Sequence, residues 1–172
     1  MKFADLLLLP FNTRTGLISV EAIVEALPGT PAAVAQQFYA DHGRKPDHQE
    51  AYGSLQLNTL SWSLVGVEAA SLMDASTLPA FQNWFSNVGE RVTRFDVAGW
   101  QCIDSRADVQ RHWAEHGTWL VPPVVLTGAV VGSSAALHVA EGHTRIGLLR
   151  GLARAEVLPA SSRHMVWIGS TA

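Results

Sequence analysis

The run from Pro122 to Arg154 constrains the fold more than any other part of this chain. Pro122-Pro123-Val124-Val125-Leu126-Thr127-Gly128 reads as a strand entered through prolines, and residues 135–140 read as a second, with Gly132-Ser133-Ser134 in the turn between them. A helix follows over residues 144–154, and Glu141-Gly142-His143 lies between strand and helix. A strand-to-helix turn aims free backbone N–H groups and the positive end of a helix dipole at one spot, which suits an anion such as phosphate. Gly142 supplies the backbone freedom that a tight turn or a close ligand needs. Residues 156–159 and 164–168 read as closing strands.

Winding the helix at 3.6 residues per turn puts Ile146, Leu148, Leu149, Leu152 and Ala153 on one side. Arg150 and Arg154 fall opposite, where solvated charge belongs. Arg145 falls inside the apolar sector of the first turn, where the dipole disfavours a cation. It is therefore expected to reach past the helix end, either to an anionic ligand or to Glu141 in an internal salt bridge. Gly147 and Gly151 sit on the outer face. Each costs about 1 kcal/mol relative to alanine in a helix interior, so close approach of another element is the expected reason for them.

The preceding hundred residues read as mainly helical. The start, Met1 to Leu9, carries a short apolar run ended by Pro10 and is read as a buried strand or helix start rather than a leader. Ser19 caps a helix over residues 20–27. Thr30 and Pro31 open another that runs to His42, and residues 43–53 read as a loop. Residues 54–73 fit a strand and a helix equally well. Leu78, Phe81, Trp84, Phe85, Val88 and Val92 recur at helical spacing, and their aromatic face is expected to be core. Ser105 and Asp108 open a helix that Gly117 ends. The expected fold class is α+β: a helical region, 1–103, packed on a small mixed α/β module, 104–172. The two are separate units or parts of one domain.

Composition narrows the partners. Hydrophobic residues make up 48% and charged residues 16% of 172 residues, which supplies a core and argues against disorder. The formal charge of −3 gives no basic field for nucleic acid or an anionic membrane surface. Nothing reaches transmembrane length. The single cysteine, Cys102, asks for no oxidising compartment, and the expected location is the cytoplasm.

The Pro-led strand, the hairpin, Glu141-Gly142-His143-Thr144-Arg145 and the following Ile146-Gly147-Leu148-Leu149-Arg150-Gly151-Leu152 resemble the ParB/sulfiredoxin superfamily over about 65 residues, Asp104 to Ile168. That superfamily includes chromosome-partition CTPases, sulfiredoxins, nucleases and free-serine kinases. The resemblance implies a small α/β fold whose Gly-x-x-Arg loop holds nucleotide phosphates. By position, Gly142 and Arg145 match the phosphate-contacting glycine and arginine. Sulfiredoxins have their catalytic cysteine where His143 stands, so sulfinic-acid reduction is not expected. The serine kinases have an acidic residue before Gly-His-His-Arg, which corresponds to Glu141. Partition proteins carry a DNA-binding helical domain after this module, and only four residues follow Ile168.

The resemblance thus implies a site in which Gly142, Thr144 and Arg145 hold the phosphates of a nucleotide, ATP or CTP with Mg²⁺, while Glu141 and His143 are catalytic. Phosphoryl transfer or nucleotide hydrolysis is the expected chemistry. Two other classes stand beside it. One is a non-catalytic interaction protein of immunity or antitoxin type, docking a protein partner or a second copy. The other is a nuclease, which would need a metal cluster and a basic groove. An open pocket lined by Glu141, His143 and Arg145 favours the enzyme, and Arg145 closed in a buried salt bridge favours the scaffold. His112-Trp113-Ala114-Glu115-His116 matches a zinc-protease pattern but is read as a surface helix, and no metal ligands are assigned. His138, Glu141 and His143 form a second loose cluster. Ser133-Ser134 lacks a nucleophile elbow.

Overall fold

A four-stranded mixed sheet organises the chain in the computed structural model, which describes residues 1–171. Strands β1 (Leu60–Glu68), β2 (Val124–Thr127), β3 (Leu137–Glu141) and β4 (Arg163–Thr171) lie in the order β1-β4-β2-β3. β4 runs antiparallel to β1 and parallel to β2, and β2 and β3 form an antiparallel pair. Around the sheet lie α1 (Val20–Ala26), α2 (Ala32–Val34, continued by a π-helical turn, Ala35–Ala40), α3 (Pro46–Tyr52), α4 (Ala69–Met73), α5 (Pro79–Gly89), α6 (Phe95–Ala98), α7 (Ala107–His116) and α8 (His143–Arg154). The class is α+β. The first 103 residues also contribute β1, so both parts of the chain share one sheet.

Helices cover both faces of that sheet. Val125, Val139 and Val166 face a core built with Leu72, Phe85, Trp113, Ile146 and Leu149. Val124, Leu126 and Ala140, their neighbours along the strands, face a second core with Phe3, Ile23, Phe38, Tyr39 and Tyr52. Successive strand residues point to opposite faces, so a strand buried on both sides must be apolar at every position. This is the reason Val124-Val125-Leu126 shows no alternation.

Local signals explain most element ends. Ser19 accepts a hydrogen bond from the Ala22 N–H at 3.2 Å and caps α1. Gly117 ends α7 in the left-handed conformation, φ 62°. The N-terminal apolar run is a 3-10 helix, Phe3–Leu8, with Phe3 and Leu6 buried. Residues 54–73 hold a 3-10 turn, Leu57–Thr59, then β1 and the short α4, so the strand reading holds over 60–68 and only residues 69–73 are α-helical.

Three expectations change. Residues 43–53 are not a loop. Pro46 is tolerated in the first turn of α3, and His48 and Tyr52 turn inward and are buried. Residues 156–159 are not a strand. Glu156 takes φ 56°, and the Val157 N–H donates to the Leu152 carbonyl at 2.9 Å, so this segment closes α8 instead. Gly147 and Gly151 do not face outward. α5 crosses α8 there so closely that a Cβ on Gly151 would lie 2.6 Å from the Gly89 carbonyl oxygen. Among the described residues no helix is long and apolar enough to cross a membrane.

Candidate functional site

β3 ends at Glu141, α8 starts at His143, and Gly142 joins them with φ 92°. A Cβ at Gly142 would lie 2.4 Å from the Pro123 Cβ. Glycine is therefore demanded twice, by the left-handed backbone and by the proline that leads into β2.

Arg145 turns back past the helix end and is held by three elements. Its Nη1 donates to the Val121 carbonyl at 2.6 Å, and its Nη2 donates to Gln37 Oε1 at 2.9 Å and to the Glu141 carboxylate. Both members of this ion pair keep only about a fifth of their side-chain surface exposed (21% and 20%). Burial raises the pKa of Glu141 above the ordinary carboxylate value, against the pull of Arg145, and burial lowers that of Arg145. The other Glu141 oxygen lies 4.0 Å from His42 Nε2.

Glu141, Thr144 and Arg145 line one side of a pocket of about 520 Å³. Trp113, Trp119 and Leu148 line it with apolar surface, and Asp104 and Arg106 line it as well. Arg106 is locked to Asp104 through Nε at 3.0 Å and Nη2 at 2.9 Å. The Thr144 hydroxyl accepts a hydrogen bond from Trp84 Nε1 at 3.2 Å. Arg106, Trp113 and Trp119 were not legible as site residues. They lie far from the loop in sequence, and only the tertiary fold brings them to the pocket that Thr144 and Arg145 line.

His143 is elsewhere. Its ring is buried, stacks on Phe81 at 4.0 Å between centroids, and does not line the pocket. Desolvation, with the other histidines adding to it, pushes its pKa down to about 3, so it exchanges no proton near neutrality. The catalytic role expected for it has no access to ligand in this geometry. It belongs instead to a buried histidine cluster. His42 and His48 stack at 4.4 Å, with pKa values pushed down by burial to about 3 and about 4. His138, on β3, is bracketed by Ser76 Oγ at 2.9 Å from Nδ1 and by the Tyr52 hydroxyl at 2.8 Å from Nε2. His48 went unread because residues 43–53 read as a loop, and His42 reads only as the end of the preceding helix.

His112 and His116 lie on one side of α7, with His116 and Glu115 more than half exposed (56% and 59%). Among the described residues no three His, Cys, Asp or Glu side chains are placed to share a metal ion.

Comparison with protein-family models, with curated proteins and with solved structures finds no match in any of the three.

Proposed function

We propose that this chain binds a nucleotide, ATP or CTP, or another phosphate-bearing molecule in the pocket beside the α8 N-terminus, as a ParB/sulfiredoxin-like protein. The observation that carries the reading is one pocket of about 520 Å³ lined both by polar groups, Thr144, Arg145 and Arg106, and by the apolar surfaces of Trp113, Trp119 and Leu148. Such a cavity has the size and the division into apolar wall and few polar groups that ligand sites share. Phosphate oxygens would meet the Thr144 hydroxyl and Arg145, not Gly142, which does not line the pocket, and a planar base the tryptophan wall.

Glu141 now occupies the guanidinium that a phosphate would use, so binding exchanges one anion for another at Arg145. Released, Glu141 still lines the pocket with Asp41 and Asp104, but these carboxylates are not placed to share a metal ion, so a Mg²⁺ would come bound to the nucleotide phosphates. In phosphoryl transfer or hydrolysis, Glu141 is the acid–base group on hand, since burial already brings its pKa above that of a free carboxylate.

A second reading has its own support. Arg145 is paired with Glu141 and satisfied by Gln37 and Val121, and His143 lies outside the pocket, which is the arrangement expected of a structural clamp in a non-catalytic interaction protein.

Thermal unfolding with ATP, CTP and other nucleotides, with and without Mg²⁺, separates the two. A ligand at one hundred times its dissociation constant adds about 2.7 kcal/mol, or roughly 5–10 °C in a chain of this length. The binding reading expects one nucleotide to stabilise the wild type, and the exposed-site variant Arg106→Gln to weaken that effect. No stabilisation by any nucleotide, together with a lower melting temperature of free Arg145→Ala, would sink it and leave the clamp.

A further inference from the structure

Positive charge without a partner lies at the opposite end of α8. Arg150 and Arg154 are one turn apart there, where like charges repel. Among the described residues neither has a carboxylate within 4.0 Å, whereas Arg145 and Arg106 each have one. Asp74 is the acid whose charge reaches Arg150.

Arg150 is not a loose surface side chain. Its guanidinium lies 4.1 Å over the Phe85 ring, and Nη2 donates to the Ala75 carbonyl at 2.6 Å. These contacts fix the fork, yet its Nε is buried with no hydrogen-bond partner. The buried Thr77 Oγ1 lacks a partner as well. Both atoms belong to residues lining one pocket of about 260 Å³, together with Ser76, Gln82, Ser86 and Arg154.

We propose that this pocket is a second binding site, for the phosphate group of a small ligand. Two guanidiniums, the hydroxyls of Thr77 and Ser86 and the Gln82 amide offer more donors than a carboxylate can accept, and a phosphate has the oxygens to take them. The arginines attract it electrostatically, Arg150 is pre-organised by its stack on Phe85, and the anion relieves the repulsion between Arg150 and Arg154. The proposal does not rest on nucleotide binding at the first pocket.

The test uses inorganic phosphate and phenyl phosphate as probes, by equilibrium dialysis and thermal shift, against sodium chloride at matched ionic strength. The expected result is saturable binding that weakens at least tenfold in Arg154→Gln, whose side chain is exposed, and several-fold in Thr77→Val. A response to inorganic phosphate identifies a site for the free ion, and one to phenyl phosphate alone a site for an ester. Either supports the assignment. It is overturned if neither probe exceeds chloride, if both variants bind like wild type, or if Arg106→Gln abolishes binding while Arg154→Gln keeps it.

Discussion

Lowering the pH from 7.5 to 5.0 puts protons on His42, His48, His143 and His164 in the unfolded chain but not in the folded one. Their folded pKa values are about 3, 4, 3 and 4, with burial the first cause in each, against 6.5 without it. A base whose folded pKa is depressed contributes stability that is complete above 6.5 and is lost as the pH falls from there toward 3–4. Within that window each group costs about 1.4 kcal/mol per pH unit. Between pH 6.5 and 5.0 that is about 2 kcal/mol each and on the order of 8 kcal/mol for the four, comparable with the whole stability of a typical domain. Glu141, with its raised pKa, works in the other direction and offsets part of the loss.

The assay is urea unfolding followed by tryptophan fluorescence at pH 7.5, 6.5, 5.5 and 5.0 and constant ionic strength. Stability should fall steeply below pH 6.5. His48→Phe should reduce the slope by about 1.4 kcal/mol per pH unit. Because the His48 ring makes no short hydrogen bond and faces Phe81 and Tyr52, the same variant should lose little stability at pH 7.5. A stability that stays flat from pH 7.5 to 5.0, or a His48→Phe slope equal to that of wild type, refutes the reasoning.

Two further predictions concern glycines. Gly151→Ala sets a Cβ 2.6 Å from the Gly89 carbonyl and 2.9 Å from Val92 Cγ2, so α5 must retreat. Overpacking of about 1–3 kcal/mol should outweigh the roughly 1 kcal/mol of helix propensity gained and lower the melting temperature. In Gly147→Ala the nearest atoms are 3.3 Å away, belong to the Val88 side chain, and can yield, so its melting temperature should stay within about 3 °C of wild type, and equal effects from the pair would contradict the close helix crossing. Gly142→Ala combines a left-handed backbone with a 2.4 Å approach to Pro123, and should cost about 1–3 kcal/mol in chemical unfolding. If it also leaves nucleotide stabilisation unchanged, the turn does not shape the pocket.

The sequence by itself determined the local frame. Ser19, Gly117 and Gly142 mark element boundaries because capping and left-handed backbone are chemistry of a few adjacent residues. The hairpin and α8 follow from periodicity, as does the backward reach of Arg145, since a cation in an apolar sector near a positive helix end has one direction to go. The tertiary structure decided what that reach meets. Glu141 was one of two readings open in the sequence, while Gln37 and Val121 come from distant segments. The inward face of Gly147 and Gly151 depends on where α5 crosses. His143 was legible as a site residue by adjacency alone, and packing on Phe81 removed it from the pocket. His42 and His48 stack on each other because α3 folds back against the end of the preceding helix, a contact no local pattern shows. Arg150, placed among solvated charges by its helical angle, is instead held against Phe85, because that angle fixes only the direction a side chain leaves its helix and not what waits there.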